Sequence, residues 1–317
     1  PLLADYLTQN ALWWIEYLGL AGIRMDTYPY PDKHYMSAWT RRVMLEYPLF
    51  NVVGEEWTSN QPSVAYWQAG KDNRDGYVSY LPSLMDFPLQ EALRSALVSE
   101  EGGKMSDGSP AGLLRLYHAL ANDFLYADPM SLVTFPDNHD ISRIYTQLGE
   151  DDDLFRMALA YVLTIRGTPQ IYYGTEIAMA NPDTADHGVI RSDFPGGWAD
   201  DPRNAFTADH LSGPERETQA FVRKLLRWRQ TQAVIHDGKT MHYRPENGSY
   251  VIFRYDENDC VMVVLNKNAE SSELVLGRFS ERLSGFGSMK NVLSGEVFPT
   301  AGTLELPPRS VMVLELF

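Results

Sequence analysis

One cysteine, Cys260, is all the thiol this 317-residue chain contains. That excludes an intrachain disulfide and any cysteine-built metal site. Cys260 stands in the strand-like run DCVMVVLN and reads as a small buried apolar side chain rather than a nucleophile. No apolar run reaches the length needed to span a bilayer, so a membrane is not an expected partner. Positive charge is also scarce. Lys and Arg number 27 against 42 Asp and Glu, a net charge of −15, which would repel nucleic acid and leaves neutral ligands open. There is no initiator methionine, no signal-peptide pattern, no internal repeat and no long low-complexity segment. From Pro1 the chain reads as though it starts inside something longer.

What is present is a globular composition, 44% hydrophobic and 22% charged, at a length that favours one large domain plus a smaller one. Aromatics are plentiful, with 7 Trp and 18 Tyr, compatible with core packing and with stacking against flat apolar ligand faces. Helical spacing runs through LLADYLTQNALWWIEYL and stops at Gly19. The alternation continues with a short buried strand in AGIRMD, a helix in DKHYMSAWTRRVMLEY, and a buried strand in LFNVVGEEW. A third strand is expected in the second half of VAYWQAGKDNRDGYVSYLPSLMDFP, a fourth in MSLVTFPDNHD and a fifth in GTPQIYYGTEI, with helices between them. Residues 181–211 carry no period and read as a lid or substrate loop. After the helix ERETQAFVRKLLRWRQTQAVI the texture becomes strands only. The expected division is a partial parallel α/β unit over residues 1–236 and an antiparallel β domain over 237–317.

Acids stand at three of the strand ends: Asp26 after GIRM, Glu55 and Glu56 after VVG, and Asp137 and Asp140 in FPDNHD. In a parallel α/β barrel these ends share one mouth, where clustered carboxylates repel unless they have a task. Cleavage of a glycosidic bond is such a task. One carboxylate attacks or stabilises the anomeric carbon, and a protonated one donates to the leaving oxygen. Arg24, two residues before Asp26 on a strand, points to the same face and would hold Asp26 ionised. Alone, an acid at a strand end is more often an N-cap or a solvated loop residue, and a lone His139 is more often a structural histidine.

In combination these stretches resemble the α-amylase family of glycoside hydrolases (family 13). GIRMD matches its G-x-R-x-D pattern, VVGEEW its glycine-preceded acid, DNHD its N-H-D motif, and GTPQIYYGTE its eighth strand. The resemblance implies strands 4 to 8 of a (β/α)8 TIM barrel followed by an antiparallel β-sandwich. It implies Asp26 as nucleophile, Glu55 as general acid/base and Asp140 as the carboxylate that binds sugar hydroxyls, with Arg24 and His139 supporting the reacting ring. Strand alternation lets only one of Glu55 and Glu56 face the mouth, and the family's spacing favours Glu55. Asp137 reads as a loop or cap residue. The loop HGVIRSDFPGGWADDPRNAF is similar to that of the cyclomaltodextrinase and neopullulanase branch. Arg191, Asp193, Phe194 and Trp198 would reach substrate there, or pack on themselves. Tyr28, Trp57 and Tyr172 are stacking platforms or scaffold.

The family's first three strands have no counterpart in these residues, and five strands cannot close an eight-stranded barrel. The expectation is therefore a partner in the form of a missing N-terminal half or a homo-oligomer, or a fragment that is inactive alone. The implied substrate is an α-glucan oligosaccharide cleaved at α-1,4 linkages, as in cyclomaltodextrins, pullulan or maltooligosaccharides. A 4-α-glucanotransferase and a noncatalytic carbohydrate-binding scaffold are the alternatives. No cofactor is required by the chemistry and calcium is possible. By analogy with the branch, the expected location is periplasmic or extracellular, with the cytoplasm left open.

Overall fold

The computed structural model describes residues 2–182, 184 and 186–317. In chain order the elements begin with α1 (Leu2–Leu18), β1 (Gly22–Met25), α2 (Lys33–Glu46), β2 (Asn51–Gly54), α3 (Gln61–Tyr66), β3 (Ser83–Leu84), α4 (Phe87–Val98) and α5 (Leu114–Ala121). There follow β4 (Val133–Thr134), α6 (Ile144–Gln147), α7 (Asp152–Thr164), β5 (Thr168–Pro169), α8 (His187–Ile190), α9 (Gly213–Gln230) and α10 (Ala233–Asp237). The remainder is β6 (Lys239–Glu246), β7 (Ser249–Tyr255), β8 (Cys260–Asn266), β9 (Ser272–Val275), α11 (Ser280–Leu283), β10 (Ser288–Asn291), β11 (Val297–Pro299), β12 (Thr303–Leu306) and β13 (Ser310–Leu316). The chain partitions into two compact units: residues up to Glu91 with Ala119–Thr134, and Ala92–His118 with Phe135–Phe317.

In the first unit β1, β2 and β3 form a parallel sheet in that order, with Arg24 beside Val53 and Met25 beside Gly54. The sheet packs against a core of Ile15, Tyr28, Met36, Val43, Val52 and Leu84. Asp32 opens α2 by accepting the Tyr35 amide at 2.8 Å, and Gly19, at φ 61°, ends α1 in a conformation that suits glycine. GIRM was expected to be buried. Instead its residues alternate between exposed and half-buried, because β1 is the sheet's edge strand among the described residues. Large side chains of α1, among them Leu2, Tyr6 and Tyr17, are likewise exposed.

The third, fourth and fifth strands are two residues each, far shorter than the apolar runs that announced them. Each run is interrupted by proline, at Pro82, Pro136 and Pro169, which brings no amide hydrogen to a ladder. The fifth run also turns at Gly174, φ 88°, into a 3-10 helix over Thr175–Ile177. α3, which lacks a clear period, is capped by Asn60 accepting from Ser63.

In the second unit α7 is a central helix with nine consecutive or near-consecutive buried residues from Phe155 to Thr164, started by Asp151 accepting two amides. α9 opens with a complete capping box of Ser212 and Glu215. The β domain has a six-stranded antiparallel sheet in the order β11-β10-β13-β8-β7-β6, and a two-stranded sheet of β12 and β9. Phe253, Met262, Val264, Leu306 and Leu314 fill the space between them, and Cys260 is part of this core. Residues Leu276–Leu283, between β9 and β10, are helical rather than strand, a departure from the strands-only expectation. Lys267, just past β8, reaches the Ala96 carbonyl at 2.6 Å, the Ser99 carbonyl, and Glu101 at 3.2 Å. Burial lowers its pKa, and the Glu101 carboxylate opposes that. The lysine thereby caps the end of α4 from the β domain.

Gly54 ends β2 where a Cβ would lie 2.6 Å from Leu81 Cδ2 and 3.2 Å from Tyr28 Cγ, both in the core. Alanine in an extended segment ordinarily gains stability over glycine, but here overpacking reverses the sign. Gly54→Ala is expected to lower unfolding free energy by about 1–3 kcal/mol in urea titrations.

Candidate active site

The parallel register of β1 and β2 brings Asp26 and Glu55 to adjacent strand ends, and the ladder continues past them. Glu55 donates its amide to the Met25 carbonyl at 3.0 Å, and Tyr28 donates to the Glu55 carbonyl at 3.0 Å. Between the two acids stands Arg24. Its Nη1 lies 2.6 Å from Asp26 Oδ1, and its Nη2 lies 2.6 Å from Glu55 Oε1. Thr27 turns through a left-handed backbone conformation, φ 45°, and its amide donates to Glu55 Oε2 at 3.0 Å. The carboxyl of Glu55 is thus held at both oxygens, with 3% of the side chain exposed, whereas that of Asp26 is 69% exposed.

Glu55 has a raised pKa. Burial is the largest cause, and the neighbouring Asp26 carboxylate adds to it, while the Thr27 amide and the Arg24 guanidinium pull it down. Glu56 is also pushed up by burial, but its environment differs. It lines a shallow cleft with Tyr30, Tyr66 and Trp67, and its Oε2 is buried with no hydrogen-bond partner among the described residues. Of the two consecutive glutamates, Glu55 is the one on Arg24.

Asp140 belongs to the second unit, in a turn that the preceding residues build. Asn138 Oδ1 accepts the amides of Asp140 at 2.8 Å and Ile141 at 3.1 Å. His139 Nε2 lies 3.1 Å from Asp140 Oδ2, and Arg191 Nη2 lies 2.7 Å from Asp140 Oδ1. Arg191 also donates through Nε to the His139 carbonyl at 2.9 Å. His187, which sequence reasoning missed, stands 3.8 Å from Asp140 Oδ1. Only its position four residues before Arg191 on a short helix could have signalled it.

Asp137 is fully buried. It accepts the Ile144 amide at 2.9 Å and the Thr175 hydroxyl at 3.0 Å, and so caps α6. Arg143, also buried, donates to the Tyr173 carbonyl at 2.7 Å and lies over the rings of Tyr172 and Tyr173.

The aromatic expectations divide. Tyr28 is not a stacking platform: it has no exposed surface, and its hydroxyl lies 3.4 Å from Thr40 Oγ1 in the core. Trp57 is half exposed and stacks on Phe87 at 5.3 Å. Tyr172 lies half-buried against Arg143. Within the loop, Trp198 is exposed and donates to Asp193 at 3.2 Å, while Phe194 packs on Phe206. Those three loop residues therefore contact one another's segment, and Arg191 alone of the four reaches a predicted catalytic carboxylate.

The profile of the family described as "Alpha amylase, catalytic domain" matches residues 4–241, three quarters of the chain. This chain belongs to the α-amylase family. A second profile, "Cyclo-malto-dextrinase C-terminal domain", matches residues 240–315. Among curated relatives, the cyclomaltodextrin glucanotransferase of Geobacillus stearothermophilus is 27% identical over 289 residues, covering 90% of this chain and 35% of the relative. The maltogenic alpha-amylase of Bacillus acidopullulyticus is 26% identical over 321 residues, covering 99% and 48%. The alpha-amylase from Geobacillus thermoleovorans, solved with acarbose, superposes with a TM-score of 0.79 at 21% identity, covering 100% of this chain and 64% of that one. The cyclic α-maltosyl-(1→6)-maltose hydrolase from Arthrobacter globiformis gives 0.73 at 16%, covering 99% and 60%. The fold is thus the C-terminal part of a TIM barrel followed by an antiparallel β-sandwich. The chain spans about a third to a half of the length of the curated relatives named here. Among its described residues no helix is long and apolar enough to cross a membrane.

Burial raises the Asp137 pKa from 3.8 to about 6. A folded-state value above the unfolded one means that the native chain binds this proton more tightly. Stability from this group is therefore full below pH 4 and is lost as pH rises through 6, on the order of 3 kcal/mol. Asp137→Asn is expected to keep the α6 cap and to remove that part of the slope, read as urea midpoints at half-unit pH steps.

Proposed function

We propose that this chain carries catalytic machinery of a retaining enzyme that cleaves α-1,4-glucosidic bonds in cyclomaltodextrins, pullulan or maltooligosaccharides. The observation that carries the reading is the single Arg24 guanidinium shared by an exposed Asp26 and a buried Glu55, each at 2.6 Å. A nucleophile must be ionised and reachable, and an acid must hold its proton near neutrality. Arg24 beside an open Asp26 supports the first requirement, and the burial-raised pKa of Glu55 supports the second.

In this mechanism Asp26 attacks the anomeric carbon while Glu55 gives its proton to the departing glycosidic oxygen. A glycosyl ester on Asp26 results. Glu55, now anionic, takes a proton from water, and the hydroxide formed displaces Asp26. By the family resemblance, Asp140 is the carboxylate expected to bind sugar hydroxyls. No step needs a metal or an organic cofactor. Glucosyl transfer, with a sugar hydroxyl in place of water, is the second reading, favoured by the glucanotransferases among the relatives. Incubation with maltotriose separates the two: transfer makes longer chains, and hydrolysis only shorter ones.

The assignment is tested with a 5-fluoro-α-glucosyl fluoride, whose ester turns over slowly. Peptide mass mapping is expected to find the label on Asp26, and a label elsewhere would remove that residue as nucleophile. In protein that degrades maltoheptaose, Asp26→Asn is expected to reduce kcat at least about 10³-fold with folding intact.

The sign of the Arg24 effect gives a pH test. The guanidinium lowers the Glu55 pKa, so Arg24→Met should raise it further and move the alkaline limb of kcat/KM to higher pH. The same variant should turn over more slowly, because Asp26 loses its counter-charge. An unmoved limb would mean that Glu55 is not the acid.

A further inference from the structure

Asp140 presents a conflict with the role just assigned to it. A carboxylate that grips sugar hydroxyls needs open lone pairs, and protein groups already occupy part of both oxygens. Oδ2 faces His139 at 3.1 Å, and Oδ1 is taken by Arg191 at 2.7 Å. Its side chain is 13% exposed, whereas Arg191 is 42% exposed and His187 51%. The group that covers the carboxylate is thus itself open to water.

The covering segment has a defined construction. Asp186 caps the short helix α8 by accepting the Gly188 amide at 2.8 Å, and Arg191 ends it by donating its amide to the His187 carbonyl at 3.0 Å. His187 Nδ1 lies 2.9 Å from Arg191 Nη2, so the two side chains approach the carboxylate together. Beyond Arg191 the chain is tied by the Tyr173 hydroxyl, which donates to the Ser192 carbonyl at 3.0 Å. Further on, Phe194 is anchored in a small core with Ile177, Ala205 and Leu211. Residues 187–191 therefore have a downstream anchor and, at their tip, the Arg191 contacts with Asp140 and the His139 carbonyl.

Resting on the glucan-cleaving reading of the site, we infer that residues 187–191 form a latch in which Arg191 competes with a ligand hydroxyl for Asp140 Oδ1. Arg191 is then a positioning residue and not a sugar-binding one. It orients the carboxylate while the site is empty, and it leaves when a hydroxyl arrives. An exposed ion pair is weak enough to be exchanged in this way, and the fraction of time it is closed reduces apparent affinity. The ligand class is a polyhydroxylated sugar, whose hydroxyl donates where the guanidinium donated.

Two measurements on the whole chain test this. The first needs no ligand: hydrogen–deuterium exchange of the amides of residues 188–192 is compared in wild type, Arg191→Gln and Asp140→Asn. Either substitution should speed exchange there by about tenfold or more, with α7 and the β domain unchanged. Unchanged exchange in both variants would overturn the latch whatever the ligand. The second is calorimetric titration with maltoheptaose. Arg191→Gln is expected to bind about 3- to 10-fold more tightly than wild type, an effect that a merely structural arginine would not produce. Equal or weaker binding would overturn the competition, the weaker case identifying Arg191 as a sugar contact. Binding by none of the proteins, with the exchange response present, would remove the glucan reading and support the latch toward another ligand of Asp140.

Discussion

One guanidinium organises half of the proposed chemistry. Arg24 lies between two carboxylates that would otherwise repel, and it treats them unequally because their surroundings differ. Asp26 meets it from solvent, where water already supports the anion. Glu55 meets it from within the protein, where burial opposes the anion more than the arginine favours it. The same positive charge therefore accompanies one acid that is open to solvent and another whose proton affinity rises through burial. The inequality depends on the backbone. Gly54 lets β2 lie close to Tyr28 and Leu81, and Thr27 turns its amide onto Glu55. Small changes in either would move the acid relative to its arginine.

Asp140 obeys a different local logic. Asn138 shapes its turn, Asp137 caps the next helix from a buried position, and the carboxylate itself is engaged by side chains from its own turn and from a loop about fifty residues on. The two acid groups are built by separate means, one by strand register and one by a side-chain-capped turn. An arginine stands beside each, but only Arg24 is locked between two acids. Arg191 is attached to one and open to water on the other side, which is what makes it exchangeable.

Much of this was legible in the chain. The i, i+2 spacing of Arg24 and Asp26 foretold their contact, because strand geometry is local. Periodicity likewise announced α1, α2, α7 and α9, and the change of texture after His236 announced the β domain. What was hidden depended on contacts between distant residues. The bond from Arg24 to Glu55 spans 31 positions and rests on register. Tyr28 looked like an available ring two residues from an acid, but Met36 and Thr40 of α2 close over it. The short third to fifth strands were overestimated because apolar content outweighed the prolines within them. His187 carried no signal until the loop folded back onto Asp140.

Lys267 has a consequence for how the second unit comes apart. Its ammonium joins the segment just past β8 to the backbone end of α4 from a largely buried position. Detaching the β domain would strand that ammonium and those carbonyls at once. The appendage and the last turn of α4 are therefore expected to melt in a single cooperative step, so within this unit the sandwich holds the helix end in place and is no tethered passenger.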